Sequence, residues 1–283
     1  MDFTAIRQES REGVLSADVV SGLQEGSAQE IEHLMLGLIP VAAERSMPNL
    51  SGYKVGAVGQ GESGCFYFGA NFEMLGGPLA FTVHAEQSVV MNALKHHETG
   101  LKHLAISAAP CGVCRQFLYE LADAADLSIV LADKEPLRLL DVLPGAFGPA
   151  DLGLVGGLMK SELISLAPLE DNENGLVKEA YTAAMHSYAP YTGSAAGIAL
   201  RLVDDSVHFG YTIENAAFNP ALFPLQFALS MMALSSHDPS DIKDVVQVEV
   251  DGSAVSYVPF TEELLGRMAP ECSFKNLVIS RTA

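Results

Sequence analysis

The sequence is poor in basic residues and has no tryptophan. Its 283 residues include 16 Lys and Arg against 35 Asp and Glu, which gives a formal net charge of −19. Proteins that bind nucleic acid derive most of their affinity from cationic side chains that contact phosphates. This charge balance therefore argues against a nucleic-acid partner. Because 18% of the residues are charged and 49% are hydrophobic, a solvated, disordered chain is also excluded.

Long apolar runs and closely spaced cysteines are scarce too. No stretch approaches the roughly 18 consecutive apolar residues of a membrane span. Met1–Ser21 lacks the basic segment and apolar run of a secretory signal. Four cysteines would make a sparse disulfide scaffold for a chain of this length. We therefore expect a cytoplasmic protein with no membrane partner, whose close cysteine pair serves metal binding or redox chemistry.

Helical and strand-like hydrophobic patterns alternate along the first half of the chain. Ser27 is predicted to cap a helix over Ala28–Ala43, and Pro48 ends this pattern. The patterns that follow predict strands at Tyr53–Val58, Cys65–Phe68, His103–Ala108 and Leu127–Ala132, a turn at Gly59–Gly64, and helices at His84–Leu94 and Cys111–Ala122. Strands that alternate with helices predict a layered α/β domain.

The second half of the chain repeats the first at an offset of 141 residues. Gly56 matches Gly197, and Gly69-x-x-x-Glu73 matches Gly210-x-x-x-Glu214. A period of half the chain indicates a duplicated domain rather than a solenoid. We therefore predict four regions, which are a helical segment at 1–46, a catalytic domain at 47–153, a linker at 154–175 and a degenerate copy at 176–283.

The repeat is incomplete where chemistry is expected. At the same offset, His84-Ala85-Glu86 falls opposite Leu225-Gln226-Phe227, and the pair Cys111 and Cys114 has no cysteine opposite it. The second copy is therefore predicted to be a structural partner without catalytic activity. The linker between the copies is recognised by its loop composition, with Gly156, Gly157 and the acidic residues Glu170, Asp171 and Glu173.

Two short motifs in the first copy point to a catalytic metal. His84-Ala85-Glu86 and Pro110-Cys111-Gly112-Val113-Cys114 together match H-x-E and P-C-x-x-C, the signature of zinc deaminases that act on bases. Cys111 and Cys114 open a predicted helix, whose N-terminus favours thiolates. With His84 as the third ligand, a tetrahedral Zn²⁺ keeps one open position. Glu86 is then suited to take a proton from a metal-activated water.

Each motif also has another interpretation. C-x-x-C alone fits a redox motif, and a structural zinc site would recruit a fourth ligand such as Cys65 or Cys272. The pairing of both motifs in one α/β unit favours catalytic zinc. The substrate can also be a different base or a nucleotide, although a nucleotide would bring cationic phosphate ligands. A non-catalytic scaffold that uses zinc only for folding would have no use for Glu86.

The sequence resembles the cytidine deaminases of the cytidine and deoxycytidylate deaminase family, and within them the two-domain, homodimeric form. The segments that carry the resemblance are Gly69–Glu73, Thr82–Gln87, Ala109–Phe117, Leu143-Pro144 with Phe147–Pro149, and Glu214–Pro220. The resemblance implies duplicated three-layer α/β/α sandwiches with mixed sheets. It also implies hydrolytic deamination of cytidine and deoxycytidine to uridine and deoxyuridine plus ammonia, in pyrimidine salvage.

The family pattern also implies a role for each site residue. One Zn²⁺ per chain would be held by His84, Cys111 and Cys114, zinc-bound hydroxide would attack C4, and Glu86 would move protons. The implied substrate contacts are Asn71 and Glu73 with the ribose 3′-hydroxyl, Tyr53 with the ring, the Ala85 backbone with the base carbonyl, the Ala109 carbonyl with the amino group, Phe147 as pocket lining, and Ala217 and Phe218 at the partner subunit's site. Without the family, a turn residue and a helix-start charge explain Asn71 and Glu73, and core packing explains the two phenylalanines.

Overall fold

The computed structural model describes residues 3–10, 12–27, 30–170 and 173–282. The chain divides into two compact units. Unit 1 comprises Met1–Glu73, Thr82–Lys160 and Ala233–Ser236, and unit 2 comprises Met74–Phe81, Ser161–Met232 and His237–Ala283. Within the described ranges, no helix combines the length and the apolar character needed to cross a membrane.

Unit 1 is built on a mixed sheet. Its elements in chain order are α1 (Phe3–Glu9), β1 (Val14–Leu15), α2 (Ala17–Ser27), α3 (Ile31–Ala43), β2 (Gly56–Gly61), β3 (Phe66–Ala70), α4 (Ala85–Lys95), β4 (Leu101–Ile106), α5 (Gly112–Leu118), β5 (Ser128–Val130), β6 (Leu137–Arg138) and α6 (Leu139–Val142). The strand order is β1-β3-β2-β4-β5-β6, in which β4 and β5 are parallel and the other neighbours antiparallel.

Helices α3 and α4 pack on opposite faces of this sheet, and each helix approaches the sheet most closely at a glycine. A Cβ on Gly56 would lie 2.6 Å from Ile39 O of α3, and a Cβ on Gly69 would lie 2.2 Å from Ala85 O of α4. Gly69 pairs with Ala57, the neighbour of Gly56, so the two glycines face opposite sides of the sheet. The resulting helix–sheet–helix layering confirms the predicted three-layer α/β fold.

Unit 2 repeats this plan in a smaller form. Its elements are α7 (Gly175–Met185), β7 (Ala196–Leu202), β8 (Val207–Tyr211), α8 (Pro224–Leu234, with its last two residues in unit 1), β9 (Ile242–Val250), α9 (Val258–Met268) and β10 (Ser273–Ile279). The described strands form the order β10-β9-β7-β8, with β9 and β10 parallel. Gly197 approaches α7 as Gly56 approaches α3, which confirms the duplication.

The repeat changes its offset just before α8. A Cβ on Gly210 would meet Pro224 O at 2.4 Å, as one on Gly69 would meet Ala85 O at 2.2 Å. The offset at this helix is therefore 139 and not 141. His84 consequently corresponds to Phe223, so the predicted match of His84 with Leu225 is wrong. The loop that precedes α8 is two residues shorter, and loops tolerate such changes better than the elements they connect.

Several predicted boundaries are also wrong. Ser27 is the last residue of α2 and does not cap α3, which has Glu30 at its N-cap, while Ala28 lies outside the described residues. Strand β2 continues to Gly61, through half of the predicted turn. Helix α5 ends at Leu118 rather than Ala122, because the Ala122 N–H bonds to the Leu158 carbonyl at 3.1 Å instead of continuing the helix.

Part of the predicted linker is tied to one unit and part to the other. Leu158 pairs with Leu121 of unit 1, and Leu166 belongs to the buried apolar cluster of unit 2. Between residue 153 and the start of α7, the described residues form no α-helix and no long strand. Of the acidic residues in this segment, Glu173 lies 3.8 Å from Lys275, and Asp171 lies outside the described residues.

Replacement of Gly69 by Ala is expected to destabilise unit 1 by about 3 kcal/mol, because the new methyl group would overlap the α4 backbone. Chemical denaturation monitored by circular dichroism measures this loss. Gly22→Ala is the matched control in α2, where a Cβ meets nothing within 4 Å. That variant should be slightly stabilised, since Ala is the better helix former. Equal stability of the two variants would contradict the close approach of α4.

Candidate zinc and substrate site

Two helix N-termini bring the predicted metal ligands together. His84 is the N-cap of α4, and its N–H donates to Gln87 Oε1 at 3.0 Å. Cys111 is the N-cap of α5, and Cys114 lies in the first turn of the same helix. The partial positive charge of both N-termini favours negative groups at this place, which suits thiolate ligands.

The three donor atoms have the spacing of a tetrahedral metal site. His84 Nδ1 lies 3.2 Å from Cys114 Sγ and 3.6 Å from Cys111 Sγ, and the two sulfur atoms are 3.6 Å apart. Zn–S bonds of about 2.3 Å and Zn–N bonds of about 2.1 Å in a tetrahedron place such atoms roughly 3.6 Å apart. The residues therefore fit zinc. Cys65 and Cys272 are outside this donor group, among the described residues, so the four-ligand structural site is not formed.

The two thiols have opposite pKa shifts. The pKa of Cys111 is lowered to about 5, chiefly by its hydrogen bond with Cys114 and also by backbone N–H groups at the start of α5. The same hydrogen bond, together with burial, raises the pKa of Cys114. The pair thus behaves as one thiolate that shares a proton with one thiol. Binding of a divalent metal would displace that proton, because thiol ligands bind in the deprotonated form.

Glu86 lies beside the metal ligands, in the first turn of α4. Its side chain is buried, with 4% exposure, and burial raises its pKa. Hydrogen bonds to the backbone N–H of Glu86 itself and to Cys114 partly oppose this effect. A carboxyl group with a raised pKa is suited to accept a proton and return it in the same reaction cycle.

A cavity of about 290 Å³ opens onto His84, Glu86 and Cys111. This volume is at the lower end of the range for small-molecule sites. The cavity includes five of the predicted substrate-binding residues, which are Tyr53, Asn71, Glu73, Ala85 and Ala109. Its lining, within the described part of the chain, includes the acidic residues Glu73 and Glu86 and no Lys or Arg. Such a lining suits an uncharged ligand better than a phosphate ester.

Asn71 and Glu73 hold the loop that forms one wall of the cavity. The Asn71 amide donates to Tyr53 O at 3.0 Å, and its oxygen accepts from Val55 N at 2.9 Å. The Glu73 carboxylate accepts from the N–H groups of Leu50 at 2.7 Å and Ser51 at 2.8 Å. Burial alone raises the pKa of Glu73, but its hydrogen bonds lower it on balance. Glu73 is therefore an ionised acceptor at neutral pH.

Three predicted site residues do not line this cavity. Phe147 is 46% exposed in unit 1, where its carbonyl accepts from Gln116 Nε2 at 2.7 Å. Phe218 is 60% exposed in unit 2 and has a left-handed backbone with φ of 60°. Ala217 precedes it, and its N–H donates to Asn215 Oδ1. Their exposure rules out core packing for both phenylalanines within the single chain. Their contact with substrate stays a prediction.

Sequence reasoning missed four residues of the cavity wall. Ser51, Val55, Thr82 and Ala108 line the cavity without having been predicted as site residues. The repeat carried a signal for Ser51, because Thr192, another hydroxyl residue, stands 141 positions later and precedes a matching glutamate. Val55 lies just before β2, and Thr82 lies just before α4. Their place in the cavity wall depends on the tertiary fold and is not predicted by any spacing pattern in the sequence.

Comparison with known proteins identifies the family. The profile described as "Cytidine and deoxycytidylate deaminase zinc-binding region" matches residues 29–130, and a second profile with the same description matches residues 139–262. The cytidine deaminase of Pectobacterium atrosepticum is 42% identical over 255 residues, which are 90% of this chain and 86% of the relative. That of Aliivibrio fischeri is 38% identical over 96% of this chain and 91% of the relative.

The chain belongs to the cytidine deaminase family. The first match contains His84, Cys111 and Cys114, which confirms the predicted zinc-binding region. The second match contains Phe223, the counterpart of His84, so this member of the family carries two copies of the deaminase fold with the donor group in the first. The cytidine deaminase of Salmonella arizonae is 40% identical over 242 residues, which are 86% of this chain and 81% of the relative.

Proposed function

We propose that this chain catalyses the zinc-dependent hydrolytic deamination of cytidine and deoxycytidine to uridine and deoxyuridine plus ammonia, in pyrimidine salvage. One observation carries the proposal. The donor group of His84, Cys111 and Cys114 stands beside a buried carboxyl, Glu86, at a cavity without cationic side chains in its described lining. A purely structural zinc site needs neither the carboxyl nor the cavity. The relatives named above are cytidine deaminases, which supports cytidine as the substrate.

The proposed mechanism assigns proton transfer to Glu86. One zinc ion per chain, held by His84, Cys111 and Cys114, would supply Lewis-acid activation of a water molecule. Glu86 accepts the first proton of that water at its carboxylate and delivers it to the ring N3. It then accepts the second proton from the hydroxyl that has been added to C4 and delivers it to the departing amino group. The hydrolysis exchanges the C4 amino group for oxygen and releases ammonia. Burial of Glu86 supports this role, because burial raises the pKa of the carboxyl group toward the working pH, where a side chain can both accept and donate a proton.

The remaining cavity residues orient the nucleoside in this proposal. The Ala85 N–H would donate to the base carbonyl, and the Ala109 carbonyl would accept from the amino group. Tyr53 would pack against the pyrimidine ring, and Asn71 and Glu73 would bind the ribose 3′-hydroxyl. Their shared cavity supports these assignments, as does the ionised state of Glu73.

We also propose a homodimer in which each site is completed by the partner subunit. Phe147 and Phe218 support this proposal because both rings are solvent-exposed in the single chain. The left-handed backbone at Phe218 costs conformational energy, a feature that clusters at functional positions. Sedimentation of the purified chain tests the dimer. A monomer that turns over cytidine at full rate would contradict the shared site for Phe147, Ala217 and Phe218.

The domain assignment and the cellular location belong to the same proposal. Residues 47–153 would form the catalytic domain and 176–283 the degenerate copy, with 1–46 as a helical segment and 154–175 as the linker. A zinc site with two cysteine ligands requires reduced thiols, and all described cysteines are free. This chemistry suits the cytoplasm.

Metal analysis of the purified protein, followed by ultraviolet absorbance during incubation with cytidine and deoxycytidine, tests the function. About one zinc per chain and conversion of both nucleosides are the expected results. Zinc without turnover of either nucleoside would direct attention to cytosine, deoxycytidine monophosphate or adenosine. A freshly reduced chain that retains neither zinc nor activity would be a deaminase-like scaffold, and the proposal would be wrong.

A further inference from the structure

Ser51 joins two groups that the proposed function assigns to the substrate. Its hydroxyl donates to Glu73 Oε1 at 2.5 Å and accepts from the Tyr53 N–H at 3.0 Å. The other oxygen of the carboxylate, Oε2, accepts from the backbone N–H groups of Leu50 and Ser51. Asn71 Nδ2 also donates to Oε1, at the longer distance of 3.4 Å. Ser51 therefore makes the shorter side-chain hydrogen bond to the Glu73 carboxylate and also holds the Tyr53 N–H.

The same arrangement occurs in unit 2. Thr192 Oγ1 donates to Glu214 Oε1 and accepts from the Ser194 N–H at 3.0 Å. Glu214 Oε2 accepts from the N–H groups of Tyr191 at 2.7 Å and Thr192 at 3.1 Å. Unit 2 has Phe223 in place of the zinc ligand His84, so the arrangement forms independently of the metal ligands. It is a property of the fold, and unit 1 carries it in the wall of the cavity.

We propose that Ser51 is a positioning residue for the nucleoside. It orients Glu73 toward the sugar 3′-hydroxyl and Tyr53 toward the ring, and this inference rests on the proposed function. Asn71 Nδ2 holds the Tyr53 carbonyl at 3.0 Å, so Ser51 and Asn71 fix that residue at both its N–H and its carbonyl. The sugar side and the ring side of the cavity are thereby coupled through one hydroxyl.

Loss of this hydroxyl acts on binding rather than on chemistry. Without Ser51 Oγ, two backbone N–H groups still hold Oε2 of the Glu73 carboxylate, but Oε1 keeps only the 3.4 Å hydrogen bond from Asn71 Nδ2, so the carboxylate turns more freely. The Tyr53 N–H loses its acceptor at the same time. Both effects weaken the hold on the substrate equally in the ground state and the transition state. Such a change raises KM and leaves kcat largely intact.

The experiment compares Ser51→Ala, Ser51→Thr and Thr192→Ala in the full chain with zinc. Ser51→Ala is expected to raise KM for cytidine by about 10-fold with kcat within about 2-fold of wild type. Ser51→Thr keeps the hydroxyl, as unit 2 does naturally, and should have a KM close to wild type. Thr192→Ala removes the equivalent hydroxyl from unit 2 and should leave KM unchanged. Melting temperatures of all three variants report folding separately.

A substrate without the 3′-hydroxyl separates positioning from general destabilisation. With 3′-deoxycytidine, which cannot use Glu73, the effect of Ser51→Ala on KM should fall to about 3-fold or less. An unchanged KM for cytidine in Ser51→Ala, or an equal rise in Thr192→Ala, would overturn the assignment. If the wild-type enzyme does not turn over cytidine, the proposed function fails instead. In that case, calorimetric Kd values for cytidine of the wild type and of Ser51→Ala test the positioning role of Ser51. Equal Kd values, or no binding to the wild type, would overturn that role.

Discussion

Replacement of Glu86 by Gln is expected to lower kcat for cytidine by about a thousand-fold while zinc content and melting temperature stay close to wild type. The amide has nearly the shape of the carboxyl but cannot accept a proton from water at neutral pH. General acid–base catalysis by one side chain contributes about 10²–10⁴-fold to the rate. Glu86 is not one of the three donor residues, so the metal site should persist. Steady-state kinetics and metal analysis of one preparation measure both quantities.

Glu98→Gln is the matched control for this experiment. Glu98 is also buried in unit 1, with 6% exposure, and accepts hydrogen bonds from Tyr67 OH and Thr99 N. It does not line the cavity, in the described part of the chain. The control is therefore expected to reduce stability without a comparable loss of kcat. Turnover of Glu86→Gln at the wild-type rate would exclude Glu86 as the proton carrier.

Cys111→Ala is expected to remove both zinc and activity, with metal content falling from about one equivalent to near zero and turnover falling by about a thousand-fold or more. Cys111 supplies one of three donors, and two protein ligands hold zinc much more weakly than three. Cys111 is the exposed residue of the pair, so truncation of its side chain creates no buried cavity. Circular dichroism should accordingly show a folded chain.

Cys65→Ala and Cys272→Ala serve as controls for the metal experiment. Both side chains are partly exposed free thiols outside the donor group. Each variant should retain about one zinc and near wild-type turnover. Full zinc occupancy in Cys111→Ala would mean that the ligand set is wrong. Loss of zinc in either control would instead support a structural zinc site in which Cys65 or Cys272 is the fourth ligand.

Local spacing explains how much of the candidate site was predictable. The donor residues sit at helix starts, where a separation of three places two cysteines in one turn and an N-cap histidine can project toward them. Gly56 and Gly69 recur as Gly197 and Gly210, and this repeat made the duplicated sandwich predictable. At each of these glycines a helix packs so close to the sheet that no Cβ fits. The correspondence between His84 and Phe223 was missed, because the offset of 141 residues was measured over the strands. The loop before α8 is two residues shorter in the second copy, which changes the offset there.

The amino-acid sequence by itself determined the α/β class, the duplication, the family and the candidate donor set of His84, Cys111 and Cys114, because these depend on recurring residue patterns and on residue chemistry. Only the tertiary structure decided that Glu86 is buried, that the three donors lie within 3.2–3.6 Å of one another, and that Ser51 links Glu73 to Tyr53. Burial and the direction of a hydroxyl depend on how strands and loops distant in the chain pack together, and no local pattern contains that information.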